Sequence, residues 1–192
     1  RCPLPPRRRT WRRDPGPAGA GRHGAAAREP SGWRWLPVTA VVIALDQLVK
    51  AWIVEHLAFH GTMRVLPVLD LTLTYNKGAA FSFLAGASGW QEWLFAGLAV
   101  VVGVAILLWL RRLSGRRQRL LCLSLTLIMG GAIGNLIDRL RIGHVIDFVL
   151  AHWHSVYFPF AFNVADSAIT VGAALLLLDA LLETRGSMKE NV

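Results

Sequence analysis

The chain has 192 residues, of which 54% are hydrophobic and 17% are charged, and its formal net charge at pH 7 is +9. A soluble domain of this size needs about a quarter of its residues charged to cover its surface, so the composition excludes an ordinary soluble domain and favours a membrane protein. The two cysteines, Cys2 and Cys122, form neither a spaced disulfide framework nor a CxxC zinc motif.

The first 34 residues contain six of the nine prolines and nine arginines, with hardly any aliphatic side chain larger than alanine. Such a segment cannot bury enough apolar area to offset its chain entropy. It is therefore predicted to be a disordered basic tail. Its charge would attract anionic lipid headgroups, although a dispensable extension is the simpler interpretation.

Four membrane-spanning helices are predicted after the tail, over residues 35–57, 90–110, 120–137 and 163–182. The second and third contain charge-free runs of 18 residues, which at ~1.5 Å per residue cross most of a ~30 Å hydrocarbon core. The first is interrupted by Asp46 and Lys50, and the last is bracketed by Asp166 and Asp179. The predicted organisation is thus a tail over 1–34, a four-helix membrane domain over 35–184 and a C-terminal tail over 185–192.

The positive charges predict the orientation of these helices. With the N-terminus in the cytoplasm, sixteen lysines and arginines lie on the inner side and four on the outer side. The excess of positive charge in cytoplasmic connections therefore favours a topology with both termini inside.

The first outer loop is predicted to contain a strand. Leu69, Leu71 and Leu73 alternate with polar residues, and this period of two is typical of a strand with one apolar face. The turn signal Asn76-Lys77-Gly78 could begin a return strand. We therefore expect an all-α membrane protein, four helices with both termini inside, with a small extracytoplasmic β-sheet in this loop.

Several polar residues are predicted to meet near the outer membrane surface. They are Asn76, Asn135, Asp138, Asp147, Asn163 and Asp166. Polar groups at membrane depth are costly and often mark a functional site. Two aspartates sharing one proton can act as base and acid together. The residues alone leave open which two of Asp138, Asp147 and Asp166 form such a pair.

Two further spacings are interpreted as structural. Asp46 and Lys50 are four residues apart with the acid first, the better order for an intrahelical ion pair, so each would neutralise the other in the membrane. Gly130 and Gly134 are also four apart, which permits close approach of a neighbouring helix.

Five ordered blocks carry a resemblance to a known family. They are Asp46-Gln47 with Lys50, Asn76-Lys77-Gly78-Ala79-Ala80-Phe81, residues 130–139, Val145-Ile146-Asp147-Phe148, and residues 162–169. In these blocks, which lie between residues 35 and 184, the chain resembles the lipoprotein signal peptidases, also called signal peptidase II.

The resemblance implies an aspartic endopeptidase of the bacterial inner membrane, with its site at the outer leaflet, that cuts prolipoproteins just before their diacylglyceryl cysteine. It implies a catalytic dyad of Asp147 and Asp166. Asn76, Asn135, Arg139 and Asn163 would line the site, and Asp46 and Asp138 would support it. The expected partners are lipid-modified prolipoproteins and membrane phospholipids, with no nucleic acid, cofactor or metal, and the chain is expected to act as a monomer.

Other interpretations rest on fewer residues. Gly86-Ala87-Ser88-Gly89 fits the short Gly-x-Ser-Gly motif of rhomboid-type serine proteases, and His152-x-His154 could be a metal pair on a strand. A proton- or ion-coupled transporter would use Asp46, Asp166 and Asp179 as a relay. A non-catalytic scaffold would leave the outer polar residues unexplained.

Overall fold

The computed structural model describes residues 30–77, 90–154 and 156–190. Within these residues, a short 3-10 helix (Gly32–Trp35) precedes four α-helices and four β-strands. The helices are α1 (Leu36–His56), α2 (Trp90–Arg112), α3 (Arg119–Ile142) and α4 (Val164–Glu190). The strands are β1 (Thr62–Leu66), β2 (Leu69–Asn76), β3 (Val145–Trp153) and β4 (Val156–Tyr157). Residues 1–29 of the predicted tail, the predicted return strand after residue 77 and the Gly86–Gly89 motif lie outside the described residues.

The expectation of four apolar helices is confirmed, because each helix is long and apolar enough to cross a membrane. Large side chains such as Leu48, Val101 and Leu177 remain exposed on them, as expected for helices that face lipid. The third helix continues five residues beyond its predicted end at 137 and stops at Gly143, whose φ of 75° is left-handed. Glycine adopts this conformation without steric cost.

The third helix lies at the centre of the bundle and packs against each of the other three. Its glycines allow this close packing. A Cβ atom on Gly130 would lie 2.8 Å from Cβ of Val42 on α1, and one on Gly134 would lie 2.8 Å from Oδ2 of Asp46. The absence of side chains at these positions brings the polar residues of α1 and α4 next to those of α3.

The four strands form one antiparallel sheet in the order β1-β2-β3-β4. The sequence predicts a sheet within the first outer loop alone. The observed sheet also includes β3 and β4, which lie in the connection between α3 and α4. The sequence does not predict the third strand, because Val145–Leu150 is nearly continuous in apolar residues and lacks the alternation of a half-buried strand. Its pairing with β2 aligns Thr74 with Asp147 and Asn76 with Val145.

An apolar cluster attaches the sheet to the bundle. Ile53 of α1 and Leu57, the residue that follows α1, pack with Leu73 of β2 and Phe148 of β3. The cluster fixes β3 above the helix ends, and with it Asp147, which neighbours Phe148 in the strand.

The alternation predicted for β2 is only partly observed. Asp70 and Thr72 are buried, although the pattern placed them on the polar face. The reason is that His152 and Tyr157 cover this face and bring polar atoms to Asp70.

Candidate active site

The polar residues singled out in the sequence come from five elements and meet where the sheet joins the helices. Asp46 and Lys50 lie on α1, Asn76 ends β2, Asn135, Asp138 and Arg139 lie on α3, Asp147 lies on β3, and Asn163 and Asp166 lie at the start of α4. Most of them are buried, including Asp46, Lys50, Asn135, Asp138, Asp147 and Asn163. Buried charges and amides require partners, and hydrogen bonds connect this set into one network.

Asn163 connects the two aspartates at the centre of the network. Its Nδ2 donates to Oδ1 of Asp147 at 2.7 Å. Its Oδ1 accepts from the backbone N of Asp166 at 2.9 Å, and Oδ2 of Asp166 accepts from the backbone N of Asn163 at 3.2 Å. The last two bonds form a reciprocal capping box at the N-terminus of α4. The cap of the helix therefore also sets the position of Asp166 relative to Asp147.

Asn135 holds Asp166 from the other side. Its Nδ2 donates to Oδ1 of Asp166 at 2.8 Å. Its Oδ1 accepts from Nζ of Lys50 at 3.1 Å and from Nδ2 of Asn163 at 3.1 Å. Because both donors must face an acceptor, they fix which end of the Asn135 amide points to Asp166.

A buried ion cluster lies behind Asn135. Nζ of Lys50 is 2.7 Å from Oδ2 of Asp46 and 2.7 Å from Oδ2 of Asp138. Asp46 also accepts from the backbone N of Ala165 in the first turn of α4, and Asp138 accepts from the backbone N of Ile146 in β3. The predicted pair of Asp46 and Lys50 is thus a cluster of three that ties α1, α3, α4 and β3 together.

Gln47 was not assigned a role in the sequence and belongs to this cluster. Its Nε2 donates to Oδ1 of Asp138 at 2.9 Å and to the carbonyl oxygen of Gly134 at 3.2 Å. A polar amide beside Asp46 in an apolar span is the signal that could have identified it.

Asp147 lies outside the membrane-spanning segments, and burial of its carboxyl group raises its pKa to about 7. The hydrogen bond from Asn76, with Nδ2 2.9 Å from Oδ2 of Asp147, opposes this rise. The negative charge of Asp166 raises the pKa further, and the hydrogen bond from Asn163 lowers it. At neutral pH the Asp147 carboxyl is therefore poised between its protonated and ionised forms.

Arg139 provides positive charge on the α2 side of the aspartates. Its guanidinium donates to the carbonyl oxygen of Asn135 at 3.2 Å and lies 5.4 Å from the ring centre of Phe95 on α2. The charges of Asp166 and Asp147 both act on it. Two carboxyl groups in different environments, joined by one amide and facing one arginine, can perform general acid and base chemistry on a polar bond.

Two residues of the alternative interpretations, Asp179 and His152, lie apart from this network. Asp179 is 13 residues beyond Asp166 on α4, about 20 Å along the helix at ~1.5 Å per residue. Nε2 of His152 lies 3.3 Å from Oδ1 of Asp70, and its Nδ1 lies 3.3 Å from the carbonyl oxygen of His154. Both ring nitrogens are therefore next to oxygen atoms of described residues. Within the described residues, the polar network thus occupies one end of the bundle and does not extend along it as a transporter relay would.

Comparisons with known proteins identify the family of the chain. The sequence matches the family model described as Signal peptidase (SPase) II over residues 38–182. The lipoprotein signal peptidase of Pseudomonas aeruginosa is 53% identical over 147 residues, which cover 76% of this chain and 86% of that protein. The lipoprotein signal peptidase of Pseudomonas putida is 52% identical over 167 residues, covering 86% of this chain and 92% of that protein.

A solved structure of a bacterial membrane enzyme, determined by the in meso method at 1.9 Å resolution, has the same fold with a TM-score of 0.67. It is 27% identical in sequence, and the match covers 77% of this chain and 92% of that chain. The resemblance seen in the five sequence blocks is therefore confirmed over most of the chain. With its four apolar helices and its match over residues 38–182, this chain is a multi-pass membrane protease that belongs to the signal peptidase II family.

Proposed function

We propose that this chain removes signal peptides from lipid-modified prolipoproteins by an aspartic mechanism, in which Asp147 carries a proton and Asp166 is ionised. Removal of the signal peptide from prolipoproteins follows from membership of the family. The aspartic mechanism and the roles of individual residues are inferred from the site.

The observation that carries the proposal is the bridge through Asn163. One amide bonds to the carboxyl group of Asp147 and, through the capping box, orients Asp166. The two aspartates have different surroundings. Both aspartates are largely buried and each accepts two hydrogen bonds. Asp166 also lies at the N-terminus of α4, where the helix dipole stabilises negative charge, whereas Asp147 lies on a strand and burial raises its pKa to about 7. These surroundings favour a single shared proton located on Asp147.

In the proposed reaction, ionised Asp166 takes a proton from a water molecule whose oxygen attacks the scissile carbonyl carbon. Asp147 donates its proton to the peptide nitrogen as the carbon–nitrogen bond breaks, so that a carboxylic acid and an amine are released. Transfer of the proton from Asp166 back to Asp147 restores the starting state. Arg139 would stabilise the negative charge that develops on the carbonyl oxygen.

Arg139 and Asn76 would also position the substrate. Arg139 lines a pocket of about 230 Å³ between α2 and the end of α3, together with Trp93 and Ala96. The apolar lining of this pocket suits the acyl chains at the lipid-bearing end of the substrate, and the guanidinium of Arg139, which shares the lining with Glu92, can donate hydrogen bonds to the ester carbonyl groups. Asn76 projects from the end of β2 toward Asp147 and would hold the peptide on the sheet side.

The cellular arrangement is proposed from the sequence. Sixteen lysines and arginines on one side against four on the other favour cytoplasmic termini. The site, at the sheet end of the helices, would then lie at the outer leaflet of the bacterial inner membrane. The remaining proposals are a basic tail over 1–34, a peptidase domain over 35–184 acting as a monomer, and a cytoplasmic tail over 185–192.

Cleavage of a diacylglyceryl-modified prolipoprotein by the purified chain tests the mechanism. Asp147→Asn and Asp166→Asn should each lower the rate by several orders of magnitude while the protein still accumulates in the membrane, because asparagine keeps the volume and removes the acid or base. Asp179→Asn is the matched control on α4 and should cleave normally. Near-normal cleavage by either dyad variant, loss of cleavage in Ser88→Ala, or inhibition by a chelator would contradict the aspartic mechanism.

Labelling of single cysteines tests the orientation independently. In a background of Cys2→Ser and Cys122→Ala, cysteines at Arg116, which is exposed in the connection between α2 and α3, and at Ser187 should react only from the cytoplasm. A cysteine at Ser88 should react from outside. External labelling at position 116 would contradict the proposed topology and would leave the catalytic assignment untouched.

A further inference from the structure

A pocket of about 550 Å³ lies between α1, the end of α3 and the sheet, and neither Asp147 nor Asp166 lines it. Its apolar walls include Ala51 and Val54 of α1 and Ile142 at the end of α3. Ala51, Val54 and Ile142 are all exposed. Because they lie toward the sheet ends of membrane-spanning helices, the pocket opens toward the lipids of the leaflet on the sheet side.

The rim of the pocket carries positive charge. Arg141, in the last turn of α3, is exposed and forms no ion pair with any described residue. His144 is held beside it by an edge contact with the ring of Tyr75, at 4.4 Å between ring centres. By contrast, Arg64 lies 3.5 Å from Asp70. An arginine without a carboxylate at the mouth of an apolar pocket is suited to bind a phosphate group.

The floor of the pocket consists of polar groups that already have partners. Lys50 contacts Asp138 and Asp46 at 2.7 Å each, and Nε2 of Gln47 donates to Asp138. One lysine with two aspartates leaves a net charge of −1, which repels an anion. A negatively charged headgroup is therefore directed to the rim.

We propose that this pocket binds a phospholipid of the sheet-side leaflet. The lipid phosphate contacts Arg141 and His144, and the upper part of one acyl chain packs against Ala51, Val54 and Ile142. The diacylglyceryl group of the substrate does not fit this chemistry, because it has no phosphate to match the cationic rim. Since the pocket includes Tyr75, which precedes Asn76, the bound lipid braces the junction between the sheet and the helices.

The test uses the full chain, delipidated in detergent and titrated with dioleoylphosphatidylglycerol while native mass spectrometry counts the lipids retained. Dioleoylglycerol has the same chains without the phosphate and is the ligand control. Arg141→Gln should weaken phosphatidylglycerol binding about fivefold, the factor that corresponds to one cation near a lipid headgroup. Arg112→Gln, in the last turn of α2 at the other end of the bundle, is its matched control and should bind normally.

A second variant tests the apolar wall without changing charge. Ala51→Phe fills the pocket and should abolish saturable binding, whereas Ala44→Phe, on an exposed position two turns earlier in α1, should not. Equal retention of dioleoylglycerol and phosphatidylglycerol, or unchanged affinity in Arg141→Gln, would overturn the proposal, as would the absence of saturable binding by the parent chain. Weakening in Arg141→Gln supports it even if Ala51→Phe fails to fold.

Discussion

Replacing Asn76 by leucine should move the alkaline limb of the pH profile to higher pH. Nδ2 of Asn76 donates to Oδ2 of Asp147 at 2.9 Å, and this bond opposes the rise of the Asp147 pKa to about 7. A hydrogen bond to a charged group is worth ~1.5–3 kcal/mol and one pKa unit corresponds to ~1.4 kcal/mol. Leucine has the same branched arrangement of heavy atoms and no donor, so the pKa of Asp147 should rise by about one to two units.

The higher pKa of Asp147 in Asn76→Leu should preserve activity at alkaline pH, which is a change that few substitutions produce. In the proposed mechanism the active form has Asp147 protonated, so activity falls as pH rises through the pKa of this group. With a pKa of about 7, kcat/KM at pH 8 is about one-fifth of its value at pH 7, and in Asn76→Leu this ratio should exceed about one-half. The ratio is independent of any overall loss of rate caused by weaker substrate binding.

The profile of kcat/KM between pH 5 and 10 measures this shift. Thr74→Val is the matched control, because Oγ1 of Thr74 donates to the backbone carbonyl of Asp147 at 3.1 Å rather than to its carboxyl group. Its alkaline limb should stay near that of the parent chain. If the limb of Asn76→Leu stayed there too, or moved to lower pH, Asp147 would not be the protonated member of the dyad.

Three other variants have defined outcomes. The pKa of Asp147 is about 7 in the folded chain, against 3.8 for an ordinary aspartate. Ionisation of this group in the unfolded chain therefore lowers the free energy of unfolding as the pH rises from 4 to 7, by up to about 4 kcal/mol. Asp147→Asn should therefore have a higher Tm than the parent at pH 8 and a similar Tm at pH 4, and a lower Tm at both would show that its lost hydrogen bonds matter more. Gly134→Ala should reduce the amount of folded protein, since its Cβ would lie 2.8 Å from Oδ2 of Asp46, whereas Gly103→Ala meets nothing within 4 Å and should accumulate normally. Deletion of residues 1–28 should leave cleavage nearly normal, and loss of cleavage in an inserted protein would give the tail a role in the reaction.

The positions of the helices could be predicted from the sequence, but the composition of the sheet could not. Charge-free runs locate α2 and α3 because lipid excludes charge over a fixed length. The third strand has no comparable signal, since a continuous apolar run fits a buried strand and a helix segment equally well. Its partners are also distant in sequence, with Asn76 opposite Val145. Only the folded chain brings them together.

The set of polar residues could be predicted, whereas their connections could not. Their predicted depth in the membrane places Asp138, Asp147 and Asp166 near one another. The resemblance to the family then favours Asp147 and Asp166 as the catalytic pair. In the fold, Asp138 has different hydrogen-bond partners from Asp147 and Asp166. Asp138 bonds to Lys50 and Gln47, while Asp147 and Asp166 share Asn163. Such distinctions depend on which way each side chain points within its helix or strand, which residue spacing does not determine.

Because Asn163 both caps α4 and bonds to Asp147, opening of this helix end would also disassemble the proposed catalytic site. Fraying of the first turn of α4 would break both bonds of the capping box and release Asp166 from Asp147 in one motion. Helix ends generally open more readily than the whole molecule, so opening of this turn would lower the fraction of molecules that have an assembled site. The backbone amide of Asp166 is one of the two donors, and its hydrogen exchange rate therefore reports how often the site comes apart.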